Sequence, residues 1–446
     1  MPSPVICPPS YVDQPPGPRN GRGGALGANE PSWAIGRRTV RAARGPRELN
    51  DRRHRPVAVI GADSPIGLTV VRELGRRGVP VFAIGRSQRA LARFSRYTHR
   101  FEVNAAPIAD WLPSFAAEHG LAAVMAISEF QLLQLAALRG KLGDCRVLCP
   151  APEQLALVLD KQRTLDLAAG IGISVSSSWQ PAPGEDFAAT AAGLAYPVAI
   201  KWADPNAVAP RLTALGLDLE KVEYADDAGR LLAILARYTP LGAWPLVQTW
   251  CPGAGLGHML HMQGGKATLR FQHRRLREWP PSGGASTFCA AEPAESHAEQ
   301  MALSEKLLAA MGWEGPAMVE YRHDPATGRF WLMEVNGRFW GSIPLAWHCG
   351  VHFAWETVRC AEGEPRTAQQ AWPLRRARYL IPDTRHMMAV LRDPALPLRT
   401  RLGRLATFLA DFLDPRVRYF VWSWRDPGPF FGDLLGVLRK LARRDI

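Results

Sequence analysis

Trp331-Leu332-Met333-Glu334-Val335-Asn336-Gly337-Arg338-Phe339-Trp340-Gly341-Ser342 is the stretch that decides the fold. Its apolar and aromatic flanks favour a buried strand. On a strand, residues two apart share a face, so Glu334, Asn336 and Arg338 project together. A hard cation such as Mg²⁺ takes oxygen ligands, commonly one or two carboxylates plus substrate phosphates. A neighbouring guanidinium suits a phosphate oxygen. The row reads as a site for a magnesium-bound nucleotide.

A second strand precedes it. Ala317-Met318-Val319-Glu320-Tyr321-Arg322 runs into Asp324-Pro325-Ala326-Thr327-Gly328, which has the turn chemistry of a hairpin. With a loop from Asp324 to Gly328, His323 is expected to face Arg329 and Glu320 to face Leu332. Glu334 then shares a face with Glu320 as its diagonal neighbour. Two carboxylates and one amide converge on a cation. Taken alone, Glu320 reads equally well as a solvated charge paired with Arg322 or Arg338.

These residues, Val319-Glu320-Tyr321 on one strand and Met333-Glu334-Val335-Asn336-Gly337-Arg338 on the next, resemble the metal-binding strands of the ATP-grasp superfamily. That superfamily includes carbamoyl-phosphate synthetase, biotin carboxylase and many carboxylate–amine ligases. The resemblance implies that Glu320, Glu334 and Asn336 hold Mg²⁺, with Mn²⁺ as the alternative ion, and that Arg338 meets a phosphate. Gly337 stands where the family often has proline.

At 446 residues, 47% hydrophobic and 21% charged, the chain is long enough for a large core. It has no uncharged apolar run of the ~18 residues that a membrane-spanning helix needs. No secretory signal is evident. Seven scattered cysteines without a Cys-x-x-Cys pair suggest neither a disulfide framework nor a zinc site. Reduced thiols and a cytoplasmic location are expected. The net charge of +13 is uneven: residues 1–55 hold ten Arg and four acids, residues 371–446 fifteen Arg or Lys and seven acids, and the middle is nearly neutral. No nucleic-acid reader motif accompanies the arginines, so no nucleic-acid partner is expected.

Residues 1–55, rich in Pro, Gly and Arg, read as a disordered tail. From Pro56 to about Pro150 the pattern alternates strand and helix, a Rossmann-like α/β unit. Its Gly61-x5-Gly67 turn is a loose phosphate-binding fingerprint, read first as tight helix-on-sheet packing. No acid ends the second strand, so an NADP site is the most it would offer. Ser128 and Glu129 end a strand where open α/β sheets bind ligands, although a helix cap and a surface acid explain them as well.

From Ala151 to about position 365 the resemblance to ATP-grasp is continuous. It implies that Lys161, and Lys201 at the end of Tyr196-Pro197-Val198-Ala199-Ile200-Lys201, contact ATP phosphates. The expected glycine-rich lid is missing, since Ala203 to Arg211 carries no glycine. Pro245 to Gly253 resembles the adenine-side strand and hinge, with Gln248 and Trp250 as candidate contacts and His258 farther on. Gln272 to Ser286 combines an arginine cluster with Gly283-Gly284. Arg275 or Arg277 would act at the acceptor side; the sequence does not choose, and Arg275 is taken as the candidate. A solvated basic loop is the plain alternative. His348 and His352 read as packing residues.

Residues 366–446 fall outside the resemblance and read as a basic, aromatic, mostly helical extension. Its last helix admits peripheral membrane contact, with packing on the body or on a second subunit, as in a homodimer, preferred. The expected fold class is therefore α/β, with α+β in the nucleotide domain (151–365). The expected function is an ATP-dependent ligase that activates a small carboxylate as an acyl phosphate and transfers it to an amine or thiol, with Lys201, Arg275 and Arg338 in catalytic roles. A non-catalytic ATP sensor on the same fold and an NADP-linked oxidoreductase are the competing readings.

Overall fold

Val57–Ile60 has four consecutive buried apolar residues, the mark of a strand covered on both faces. In the computed structural model, which describes residues 54–220, 222–281, 283–364 and 368–442, it is β1 of a five-stranded parallel sheet. β2 (Val81–Gly85), β3 (Thr98–Val103), β4 (Ala123–Ala126) and β5 (Arg146–Val147) complete it in the order β3-β2-β1-β4-β5. Of the tail expected to be disordered, residues 1–53 lie outside the described residues.

The Gly61–Gly67 turn joins β1 to the helix Pro65–Gly75, which Ser64 caps by accepting from Gly67 N at 3.3 Å. A Cβ on Gly67 would lie 2.3 Å from the Gly61 carbonyl oxygen, so glycine is needed for helix and strand to meet here. The Asp63 carboxylate accepts from Arg86 N at 3.0 Å, tying the turn to the end of β2. The turn is a packing element, in line with the first of its two readings.

Four short strands follow: β6 (Ser178–Trp179), β7 (Val198–Lys201), β8 (Glu223–Ala225) and β9 (Leu246–Thr249), ordered β6-β9-β7-β8. Between β7 and β8, at the position of the expected lid, Pro205–Ala214 forms an α-helix. Val208 and Leu212 bury its inner side against Trp202 and Tyr238. The missing glycines thus have a structural counterpart: that segment is helical and packed.

The largest sheet has seven strands: β10 (Ala254–Gln263), β11 (Lys266–Trp279), β12 (Ala285–Ala291), β13 (Gly315–Asp324), β14 (Arg329–Asn336), β15 (Arg376–Arg378) and β16 (Val417–Tyr419). Their order is β14-β13-β10-β11-β12-β15-β16. Residues 366–446 contribute two short strands beside the helices Leu380–Arg392, Leu398–Ala410 and Gly428–Ala442. β15 pairs with β12 through Phe288–Arg378, Cys289–Ala377 and Ala290–Arg376, so the sheet runs across position 365.

Buried ion pairs hold the C-terminal residues in place. Arg277 on β11 reaches both oxygens of Asp383 at 2.7 and 2.8 Å and Asp411 at 2.7 Å, and Arg378 reaches Asp383 at 2.5 Å. Asp383 is fully buried, so these guanidiniums offset a desolvation cost that neither partner could bear alone. Farther off, Asp426 receives Arg72 Nε at 2.9 Å and Ser95 Oγ at 2.7 Å.

Candidate active site

β13 and β14 form the hairpin on which the site is built. Asp324 faces Arg329 and His323 faces Phe330, one residue off the expected register, because the loop is Pro325–Gly328. A bulge at Met333 of β14, opposite the Glu320–Tyr321 step of β13, then shifts the pairing again, and Glu320 faces Glu334 directly. The expected diagonal pair is a closer, cross-strand one. Two like charges at that position repel each other unless cations sit between or beside them.

Those cations are present. Arg275 Nη2 lies 2.5 Å from Glu320 Oε2, and Lys161 Nζ lies 3.9 Å from Glu334 Oε2. Asn336 Nδ2 donates to Glu334 Oε1 at 3.1 Å, which turns the amide of this buried residue toward the carboxylate. Burial raises the Glu334 pKa, but Lys161 and Lys201, then the Asn336 bond and Arg338, outweigh it and hold the group below the usual carboxylate range. Lys201, at the end of β7, is pushed down to about 8 by burial and by Lys161, against the pull of Glu334 and Glu320. Lys161, the first residue of the helix Lys161–Gly170, follows Asp160, whose carboxylate caps that helix through Arg163 N.

Arg338 Nε contacts Glu129 Oε1 at 3.0 Å. Glu129 follows β4 at the point where strand order reverses about β1, so the five-stranded sheet sends a carboxylate to the site. Ser128 caps the helix Glu129–Ala136 in a capping box with Gln131.

The arginine cluster divides by partner. Arg274 pairs with Glu292 at 2.8 Å, Arg277 is locked to Asp383 and Asp411, and only Arg275 reaches the carboxylates of the hairpin. Glu278 lies 3.6 Å from Arg275 Nη1, and the Gly284 carbonyl accepts from the same nitrogen at 3.2 Å. Arg275 crosses β10 over Gly255, where a Cβ would come within 2.6 Å of Arg275 Cδ. Sequence reasoning singles out neither Gly255 nor Glu278, yet Gly253-Ala254-Gly255-Leu256-Gly257 within a strand is the signal of a close approach.

On β9, the strand expected to lie beside adenine, Gln248 is buried and its Oε1 has no hydrogen-bond partner among the described residues, whereas Trp250 just beyond it is 41% exposed. His258 belongs elsewhere: its Nδ1 is 2.9 Å from Ser304 Oγ and its ring meets Tyr321, so it is a core residue. His348 Nε2 lies 3.0 Å from Tyr419 O and is likewise a packing group.

Gly337 is explained by Trp313. A Cβ at position 337 would lie 2.3 Å from the ring of this fully buried residue, which leaves no space for proline. Gly337→Ala is expected to lower stability by about 1–3 kcal/mol through overpacking, measured as a shift in the urea midpoint.

No family model matches the chain, and no curated protein sequence does. Solved structures do. They include the pyruvate carboxylase of Rhizobium etli (18% identity, TM-score 0.54, covering 70% of this chain but 30% of that one). The biotin carboxylase domain of Hydrogenobacter thermophilus 2-oxoglutarate carboxylase, in complex with MgADP and bicarbonate, matches at 15% identity and TM-score 0.55 over 72% of each chain. An L-amino acid ligase from Bacillus licheniformis matches at 17% identity and TM-score 0.51, covering 69% of this chain and 74% of that one. The chain has the ATP-grasp fold.

Proposed function

We propose that this protein is a Mg-ATP-dependent ligase that joins a small carboxylic acid to an amine or a thiol, in the cytoplasm. The observation that carries the reading is the facing pair Glu320–Glu334 with Asn336 beside it, ringed by Lys161, Lys201, Arg275 and Arg338. Two carboxylates and an amide oxygen are the hard donors that Mg²⁺ or Mn²⁺ prefers. When bound there, the ion would screen the β- and γ-phosphates of ATP from the attacking carboxylate.

The chain's own residues do the rest. Lys201 and Lys161 neutralise phosphate oxygens, and Arg338 supplies a planar fork for the transferring group. An oxygen of the substrate carboxylate attacks the γ-phosphorus, the bridging P–O bond breaks, and ADP leaves with an acyl phosphate formed. The amine or thiol then attacks the acyl carbon, phosphate leaves, and the nucleophile gives up its proton. Were Glu320 to hold the metal ion, Arg275 would be free to meet the acid, with Glu278 as its remaining carboxylate neighbour.

The helix Pro205–Ala214 at the lid position favours one second reading, a nucleotide sensor that binds ATP without turnover. The test separates the two. Acids are screened with ATP, Mg²⁺ and hydroxylamine, which traps an acyl phosphate as the hydroxamate. Hydroxamate formed together with ADP supports the ligase; ATP binding with neither product, whatever the acid, supports the sensor.

Protonated Lys201 is the form that binds phosphate. Its folded-state pKa, near 8 against 10.5 for a free lysine, means the charge is present below pH 8 and lost above it. ATP affinity is expected to fall as pH rises through about 8. Lys201→Arg should flatten this profile, and Lys161→Gln, which removes a like charge, should move it upward. Titration of ATP across this range checks both.

A further inference from the structure

Glu356 and Cys360 are four residues apart on the helix Phe353–Glu362, so both project from one side of it. Ala354 and Val358 of that helix share a core with Met259 of β10, and His261 follows two residues along the strand, on the same face as Met259. His261 faces Pro316 of β13, whereas Glu320 faces Gly257, so the two lie about 13 Å apart along the strands. A bulge sits at this point. His261 pairs with Leu269 and Met262 with Ala267, which leaves Thr268 of β11 as the extra residue. A ring nitrogen of His261, a carboxylate oxygen of Glu356 and the Cys360 sulfur lie within 4.8 Å of one another. His261 and Glu356 are buried, and Cys360 is half-buried.

Neighbours orient these donors. His261 Nδ1 lies 2.9 Å from Thr268 Oγ1. The Thr268 hydroxyl has one proton, and it goes to an oxygen, either the His261 carbonyl at 3.2 Å or Glu356. Nδ1 must then donate to Thr268, and in the neutral ring Nε2 keeps its lone pair. Glu356 accepts from Arg359 Nε at 2.9 Å and Nη2 at 2.7 Å, and the Glu364 carbonyl fixes Arg359 Nη1 at 2.6 Å. Burial raises the Glu356 pKa, but the Arg359 and Thr268 bonds outweigh it and keep the group ionised. A carboxylate has about four lone-pair sites, so the two Arg359 bonds leave others for a cation. Cys360 Sγ lies 3.6 Å from Glu356 Oε1. Around a tetrahedral zinc ion a sulfur and an oxygen ligand are roughly 3.5 Å apart, so this edge is already in place. The widest gap of the set has to close by about 1 Å to complete the tetrahedron.

We propose that His261 Nε2, the Glu356 carboxylate and the Cys360 thiolate bind a zinc ion, with solvent in the fourth position on the half-buried Cys360 side. One imidazole, one thiolate and one carboxylate suit zinc, whereas Mg²⁺ takes oxygen ligands. The thiolate and the carboxylate balance the two charges of the ion, and the Cys360 thiol proton leaves to solvent as the metal binds. Thr268 behind His261 and Arg359 behind Glu356 are the outer partners that set ring tautomer and carboxylate orientation in metal sites. The ion ties β10 to the helix Phe353–Glu362 across the face of the large sheet. No Cys-x-x-Cys pair marks the site in the sequence, because its donors come from a helix and a distant strand.

Cobalt substitution tests this on the full-length protein, stripped with a chelator and kept free of nucleotide and magnesium, so its outcome is independent of the ligase reading. Cobalt should bind with a thiolate-to-metal charge-transfer band, which zinc then displaces. Cys360→Ala should abolish the band, and Glu334→Ala, in the hairpin, should leave it unchanged. His261→Gln should weaken cobalt binding on the order of 100-fold, and Thr268→Val, which removes only the orienting partner, on the order of tenfold. Zinc should raise the melting temperature of the parent protein and not that of Cys360→Ala. Thermal unfolding of the stripped variants shows that they are folded. If Cys360→Ala is not, zinc protection of Cys360 from alkylation in the parent protein, located by peptide mapping, takes its place. Absence of the band at saturating cobalt overturns the proposal, as does a band that Cys360→Ala leaves intact or alkylation of Cys360 that zinc does not slow. Each of these results would make the three groups a hydrogen-bonded packing cluster.

Discussion

Glu334→Ala is expected to remove the magnesium dependence of ATP binding while leaving the protein folded. In the structure this carboxylate is the one on which Lys161, Lys201, Asn336 and Arg338 all act. Without it, Glu320 is the only carboxylate of the proposed metal set, and the two lysines lose the anion that lowers their mutual repulsion. Metal affinity in the presence of ATP should fall on the order of 100-fold, the scale on which metal sites respond to damage at their ligands and supports. Turnover should fall by on the order of 10²–10³, as when one preorganised stabiliser of transition-state charge is lost. Glu334→Gln should be milder in binding, because it keeps an oxygen donor while losing the charge. Titration of ATP at fixed and at zero Mg²⁺, with acid-dependent ADP release, checks both effects. Equal magnesium dependence in the parent protein and Glu334→Ala would remove Glu334 from the metal set.

Arg275→Met and Arg277→Met are expected to fail in opposite ways, although the two side chains are two residues apart. Arg275 pairs with Glu320 at 2.5 Å, inside the proposed site. Its loss should lower kcat on the order of 10²–10³-fold with a small change in stability. Arg277 pairs with Asp383 and Asp411, both buried, and lies over the Phe288 ring. Its loss leaves buried carboxylates short of a partner, and unfolding free energy should fall by about 3 kcal/mol, the lower end for a broken buried pair. The lower end applies because Asp383 keeps Arg378 and Thr287. Urea unfolding and acid-dependent ADP release, measured on both variants, separate the roles.

This contrast shows where the sequence is legible and where it is not. The strand period and the Glu-x-Asn-x-Arg row bring out the hairpin, because both depend on local alternation. The facing pair of glutamates differs from the expected pairing by two register steps, one from the loop length and one from the bulge at Met333, and the alternation of residue types marks neither. The choice between Arg275 and Arg277 rests on carboxylates more than one hundred residues downstream for the second and on a glycine of the adjacent strand for the first. No short-range pattern carries that information. The same holds for β15 and β16: three-residue strands are too short for a period, and they form because the edge of β12 offers hydrogen-bond partners to β15, and β15 in turn to β16. The missing lid glycines are plain in the sequence, but the helix that replaces them is packed on Trp202 and Tyr238, which only the tertiary structure brings together.

Thermal unfolding of the intact protein with ATP, in the presence and absence of Mg²⁺, tests the central claim most directly, because a ligand that binds only the native state raises the melting temperature. Stabilisation by ATP that requires Mg²⁺ and vanishes in Glu334→Ala is the predicted result. No shift at saturating ATP in the well-folded parent protein would contradict a nucleotide site on the β13–β14 hairpin.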